Sequence, residues 1–218
     1  MVLGIYCPGG LGGCVLELAK FVDKDKKRWN EYVFITDVSV QEKKDIRICF
    51  YDEFKKEFPP SKAEILIASG EPQARELLYE KVKADGYSLP NLIHPTSIAY
   101  NFRSIGEGNI IQDYVHFSPS NVTIGNNNCF MTFCRIAHDS IVGNNCVFSA
   151  SSNCSGHNVI GNRCYIGTGA KTRENISIGD DAIIGMGSIV LGNVLECSVV
   201  VGNPAKEIRK NTGRVFKK

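Results

Sequence analysis

Four dipeptides, Ile124-Gly125, Val142-Gly143, Ile160-Gly161 and Ile178-Gly179, recur at a spacing of eighteen residues. Eighteen is three sixes. Stepping in sixes from Ile124 meets Phe130, Ile136, Val142, Phe148, Cys154, Ile160, Ile166, Thr172, Ile178, Ile184 and Val190, of which only Thr172 is polar. A short-period repeat sustained over about seventy residues describes a solenoid in which each unit buries its apolar face only against its neighbours. The residue four after each step is mostly small (Cys134, Ser140, Cys146, Ser152, Cys164, Ala170, Ala182, Ser188). Each six-residue unit therefore offers one large and one small inward side chain with a turn between them, a flat strand followed by a corner. Three corners close a triangular coil. Gly125, Gly143, Gly161 and Gly179, each followed by Asn or Asp, are expected to supply the backbone angles that such corners require.

The repeat begins only after about residue 104, so the 218 residues are expected to form two units, 1–90 and 91–218. Net charge is +2 with both signs mixed, and the only dense basic run, Lys24 to Arg28, reads as a solvated loop. Nucleic acid is not an expected partner. Nine cysteines form no even framework; Cys146 and Cys164 fall on the small inward slot of successive coils and are expected to pack as core in a reducing, cytoplasmic setting. No basic n-region precedes the uncharged opening, and no apolar run reaches membrane-span length, so neither leader nor span is expected.

In the first ninety residues, Val2 to Tyr6 reads as a buried strand, Cys7 to Gly13 as a glycine-rich turn and Cys14 to Val22 as a helix. Tyr32 to Thr36 gives a second strand ending at Asp37. A looser stretch containing Pro59 and Pro60 follows, then a strand over Glu64 to Ala68, a turn at Ser69-Gly70 and a helix over Pro72 to Ala84. This pattern predicts a small α/β, Rossmann-like domain. Gly9, Gly10, Gly12 and Gly13 would let backbone amides approach a phosphate at a helix N-terminus, while Asp37 sits where such folds meet a ribose or base. The same glycines also suit a tight turn with close strand-helix packing.

Among the four histidines, His138 lies between the large inward Ile136 and the small inward Ser140, and so at a corner. Neighbouring strand residues point to opposite faces, but at a corner His138 and Asp139 can project outward together as a base and its orienter. His94 precedes Pro95 at the junction of the two units and reads as structural.

With a nucleotide-type unit ahead of a hexapeptide repeat, the chain resembles the sialic-acid O-acetyltransferase type of sugar O- and N-acetyltransferases, hexapeptide-repeat acyltransferases that include enzymes acting on UDP- or dTDP-linked 4-amino-sugars. The resemblance spans the chain and rests on Gly9-Gly10-x-Gly12, Phe34-Ile35-Thr36-Asp37, Ile67-Ala68-Ser69-Gly70, Asn91-Leu92-Ile93-His94-Pro95, Ala137-His138-Asp139 and Val201-Gly202-Asn203-Pro204-Ala205-Lys206. Relatives carry His or a small polar residue where this chain has Leu11. The resemblance implies a left-handed parallel β-helix, although the general rule for parallel crossovers gives the opposite hand. It also implies acetyl-CoA as co-substrate, a homotrimer with sites between subunits, and His138 as general base beside Asp139. Gly156 is implied as an oxyanion donor, and the pantetheine arm is placed near Val147, Thr168 and Met186, with Gly167, Gly169, Gly185 and Gly187 allowing close approach. Lys206 would meet the nucleotide phosphates, and Gly9, Gly10, Leu11, Asp37, Ser69 and Gly70 would hold the nucleotide-sugar acceptor.

The acceptor group stays open between the amine of a nucleotide-linked amino-sugar, which suits the βαβ unit with Asp37, and a hydroxyl of sialic acid or another sugar. A zinc enzyme on the same repeat would need histidines from neighbouring coils in one register. His138 and His157 are nineteen apart and His116 is twenty-two before His138, so no metal is expected. A non-catalytic scaffold is disfavoured by His138 with Asp139 and by the terminal Pro-Ala-Lys segment.

Overall fold

The computed structural model describes residues 1–40, 46–99, 102–213 and 215. Strands β1 (Val2–Tyr6), β2 (Glu31–Thr36), β3 (Ile48–Phe50) and β4 (Ala63–Ile67) form a parallel sheet in the order β3-β2-β1-β4, with helices α1 (Gly10–Asp23), α2 (Tyr51–Glu57) and α3 (Pro72–Ala84) around it. β1 and β4 are buried at every residue, and a strand covered on both faces needs apolar residues almost without alternation. Two expectations change here. α1 begins at Gly10, so Gly10, Gly12 and Gly13 lie in its first turn rather than in a loop before it. Gly12 is demanded by packing, because a Cβ there would strike the Cys7 carbonyl oxygen. The stretch expected to be loose contains β3 and α2; a strand of three residues carries too short a pattern to be read, and its pairing with Phe34, Ile35 and Thr36 of β2 fixes it.

From Leu92 onward the chain winds into a parallel β-helix of three faces. The first face stacks Leu92–Ile93, Ile110–Ile111, Cys129–Phe130, Val147–Phe148, Tyr165–Ile166, Ile183–Ile184 and Ser198–Gly202, and ends in the antiparallel strand Ala205–Lys210. The second stacks His116–Phe117, Arg135–Ile136, Asn153–Cys154, Lys171–Thr172 and Ile189–Val190, and the third Phe102–Ile105, Val122–Ile124, Ile141–Val142, Val159–Ile160 and Ser177–Ile178. Winding starts a coil earlier than the period does. Ile98 meets His116 only as an isolated bridge, and Phe102–Ile105 shifts register against its neighbour, so the first coil is too irregular to show a repeat.

From Ile124 to Val190 the coils pair at a constant step of eighteen, as in Cys129 with Val147 and Val147 with Tyr165. Every residue of the six-step column is at most 5 % exposed. The corner glycines act differently from expectation. The positive φ values next to them belong to Asn127, Asn145, Arg163 and Asp181, two residues later. Gly125 and Gly143 are needed because a Cβ would come within 2.6 Å of Asn144 Oδ1 in one case and 2.7 Å of the Gly161 oxygen in the other. The following Asn and Asp side chains form a ladder: Asn144 Oδ1 accepts the Asn126 N–H at 2.7 Å, Asn162 Oδ1 that of Asn144 at 2.9 Å, and Asp180 Oδ1 that of Asn162 at 2.8 Å.

α1 packs on the first face, sharing one apolar cluster with Leu92, Ile110, Cys129 and Val147. α3 sits over the corner between the third and first faces, through Arg75. That guanidinium is fully buried and donates to the Asn127 oxygen at 2.7 Å and Asn127 Oδ1 at 2.9 Å, and to the carbonyls of Ile67 at 2.7 Å and Ser69 at 3.0 Å. Among the described residues no carboxylate pairs with it; four oxygen acceptors replace its water. No helix among the described residues is long and apolar enough to cross a membrane. Arg75→Met strands those acceptors, at a cost of about 1–3 kcal/mol for each left unpaired. A stability loss of at least about 2 kcal/mol is expected in denaturant unfolding, and an unchanged midpoint would show that the clamp is idle.

Candidate active site

The corner between the second and third faces carries two columns of stacked positions. Ser120, His138 and Gly156 form one; Asn121, Asp139, His157 and Asn175 form the other, and all four of the latter have φ between 53 and 58°. This left-handed backbone turns both Asp139 and His157 outward, while Asp139 N–H bonds the Ser120 oxygen and His157 N–H the His138 oxygen, each at 2.9 Å. His138 and Asp139 do project together. His138 Nδ1 lies 2.8 Å from Asp139 Oδ2, and Asp139 Oδ1 accepts from Asn121 Nδ2 at 2.9 Å. Gly156 lies directly under the imidazole, where a Cβ would sit 2.6 Å from His138 Cε1. Its N–H has no partner among the described residues.

The hydrogen bonds from Asn121 and His138, with the nearby imidazoles, hold the Asp139 carboxyl below its ordinary value. An ionised carboxylate only accepts, so His138 Nδ1 carries the hydrogen and Nε2 presents a lone pair to solvent. The loop beneath is fixed by the one polar residue of the inward column. Thr172 Oγ1 accepts from the Ser155 N–H at 3.1 Å and from Asn158 Nδ2, and Asn158 Oδ1 accepts the Ile176 N–H at 3.2 Å.

Counted from His138, His157 is one residue off the coil spacing; counted from Asp139 it is eighteen on. The three histidines do not share one register, as expected, yet His157 is close to the corner: its Nε2 is 3.8 Å from Asp139 Oδ2 and the two imidazoles meet edge to face at 5.1 Å. Asn121, eighteen before Asp139, is legible by the same count. His116 stays apart on the second face, in register with Arg135, and His94 stacks on Phe21 at the edge of α1.

The residues expected to hold the cofactor occupy another corner. Thr168 and Met186 are exposed and stacked between the first and second faces, where the Gly187 N–H bonds the Thr168 oxygen at 2.8 Å. Gly169 and Gly187 leave open space beside them, and Gly167 and Gly185 are tightly packed between coils. Val147 does not join them. It points outward on the face that α1 covers and is fully buried there, so its side chain is closed to a ligand. Lys206 is exposed on the terminal strand.

In the N-terminal unit, Gly9 and Asp37 line a cavity of about 340 Å³ with Tyr6, Cys7, Thr36 and Leu78. Asp37 Oδ2 accepts from the Tyr6 hydroxyl at 2.7 Å and Oδ1 from Lys81 at 2.8 Å. Burial alone would raise the Asp37 carboxyl, but the Lys81 and Tyr6 bonds outweigh it and keep it below its ordinary value. Gly10 and Gly13 face open space at the start of α1. Leu11 turns instead against the apolar cluster under α1, and Ser69 and Gly70, beside the Arg75 clamp, are not among the lining residues.

The short-period parallel prism and the outward His-Asp corner agree with the fold that the sequence resemblance implies. No family model and no curated protein matches the sequence. Among solved structures the chain is similar to the acetyltransferase domain of PglB from Neisseria gonorrhoeae in complex with acetyl coenzyme A, with 25% identity over 95% of this chain and 98% of that one and a TM-score of 0.86. It is also similar to WeeI from Acinetobacter baumannii, with 27% identity, 95% and 100% coverage and a TM-score of 0.87. In fold it matches a histidine mutant of perosamine N-acetyltransferase from Caulobacter crescentus in complex with CoA and GDP-perosamine, with 22% identity, 96% and 98% coverage and a TM-score of 0.87.

A depressed carboxyl stabilises the folded chain above the unfolded midpoint near ~3.9, and the contribution disappears as pH falls through the lower folded value. Because Asn121 is the leading cause, Asn121→Ala should raise the Asp139 midpoint toward the ordinary range in a carbon-13 NMR titration. An unmoved midpoint would contradict that assignment.

Proposed function

We propose that the chain is an acetyl-CoA-dependent N-acetyltransferase acting on the amino group of a nucleotide-linked amino-sugar. The observation that carries this reading is the His138–Asp139 corner on a chain that resembles, over nearly its whole length, an acetyltransferase domain bound to acetyl coenzyme A. The parallel sheet with Asp37 and Gly9 on one cavity serves as a Rossmann-like acceptor unit for the nucleotide, and the prism carries the left hand that the resemblance implies.

The thioester is already activated, so the site must place the amine against the carbonyl and take up a proton. The C–N bond forms while an amine proton passes to His138 Nε2. The C–S bond then breaks, and the imidazolium returns that proton to the sulfur, so CoA leaves as the thiol and His138 is neutral again. Asp139 holds the imidazole in the tautomer that leaves Nε2 free, contributing to the roughly 10²- to 10⁴-fold that a positioned base supplies. The free N–H of Gly156, under the imidazole, is suited to the oxyanion.

Thr168 and Met186 project from a different corner than His138, so one chain presents the two halves of the pocket on separate edges. A cyclic trimer joins such edges into three equal grooves. Tyr114 and Phe133, stacked at 5.2 Å on the Thr168 edge, and Ile141 and Val159, on the third face beside the His138 corner, are large side chains left exposed, which supports subunit packing there. Lys206 would then meet the phosphates of CoA.

Incubation with acetyl-CoA and a panel of nucleotide amino-sugars should release free thiol and yield an N-acetylated product; transfer confined to a sialic-acid hydroxyl would replace this reading with O-acetylation. His138→Ala should lower turnover at least about a hundredfold with mass and unfolding midpoint unchanged. Near-normal turnover would remove His138 from the role.

A further inference from the structure

One nitrogen from each of His138 and His157 and one oxygen of Asp139 all lie within 4.8 Å of one another on the exposed corner. Two imidazoles and a carboxylate are the donor set that zinc sites with an open fourth position employ. We infer that this corner is a binding site for a divalent transition-metal ion, Zn²⁺ foremost, and that its occupancy silences the base.

The backbone assembles the donors before any ion arrives. Asp139 and His157 hold equivalent left-handed positions one coil apart, joined through the coil ladder, and Gly156 makes room for the His138 ring between them. Asp139 Oδ2 faces both imidazoles, at 2.8 Å from His138 Nδ1 and 3.8 Å from His157 Nε2. Bonds of about 2.0–2.2 Å in a tetrahedron place ligand atoms roughly 3.3–3.6 Å apart, so small side-chain rotations suffice. The other carboxylate oxygen is bonded to Asn121, the outer-shell support that ligating carboxylates require. Both imidazoles are about half exposed, at 48 % and 50 %, which leaves an entry path and a fourth position for water.

Binding would replace the His138–Asp139 hydrogen bond with bonds to a dication, removing the orienter and placing positive charge beside the imidazole. The metal and the proton therefore compete for one corner. The site inhibits, in contrast to a zinc enzyme in which the ion is the catalyst.

The binding half is independent of the proposed acyl transfer, and the inhibition half rests on it. Chelator-treated full-length protein, free of CoA, is titrated with Zn²⁺ by calorimetry and with Co²⁺ by visible absorption. One equivalent per chain at micromolar affinity or tighter is expected, with a tetrahedral Co²⁺ band. His157→Asn should weaken binding at least about tenfold, the lower bound for loss of metal-site residues, while its metal-free melting curve matches that of the parent. Absence of saturable binding, or equal affinity in His157→Asn, overturns the site. In the acetyl-transfer assay, Zn²⁺ should inhibit with the midpoint found by calorimetry and chelator should restore turnover. Full turnover of zinc-loaded protein overturns the competition.

Discussion

Each coil is bonded to the next by main-chain hydrogen bonds between residues one coil apart, and this constant register decides where every other side chain goes. Because the step is eighteen, a residue type needed at one level of the prism can be supported by the same position above and below. Inward, this stacks apolar residues into a continuous core, each buried Ile or Phe contributing about 1.5–3 kcal/mol. Outward at the corners, it stacks side chains that have no core to enter and are free to do chemistry. His138 and Asp139 project outward together because the positive φ of Asp139 breaks the strand alternation at this corner, and Gly156 shows the complementary demand: the position under the imidazole must carry no side chain.

The N-terminal sheet is attached to this prism by an apolar contact and one buried cation. α1 covers the outward residues of the first face, which are accordingly Ile110, Cys129 and Val147, where the second face presents Arg135, Asn153 and Lys171. Arg75 gives the contact direction. Its desolvation, which depresses the guanidinium, is offset by four acceptors split between the sheet and the prism corner, so the charge is satisfied only when both are in place. Arg163 extends the seam at the surface through Glu76 at 2.7 Å and Asp181 at 2.9 Å. The cavity with Asp37 and Gly9 is thereby held at a fixed place relative to the prism.

The prism was legible in the sequence because its inward column is a strict periodic pattern, and the His138 corner because it interrupts that pattern between Ile136 and Ser140. The remainder depends on contacts that periodicity does not encode. β3 is fixed by pairing with β2, and the first coil is hidden by a register shift near Phe102. The burial of Val147 follows from which face the N-terminal unit covers. His157 and Asn121 belong to the Asp139 column, so a count from His138 misses them and a count from Asp139 finds both. Thr172 stood out as the lone polar residue of its column, yet only the bonds to Ser155 and Asn158 show that it holds the loop on which His138 rests.

The account turns on an imidazole seated on a bare backbone position of the next coil. Gly156→Ala tests it most directly, by a structure of the variant together with its turnover. The predicted result is an intact prism with the His138 ring displaced from Asp139 and turnover reduced by at least about tenfold. An alanine variant with the 2.8 Å contact preserved and turnover unchanged would contradict it.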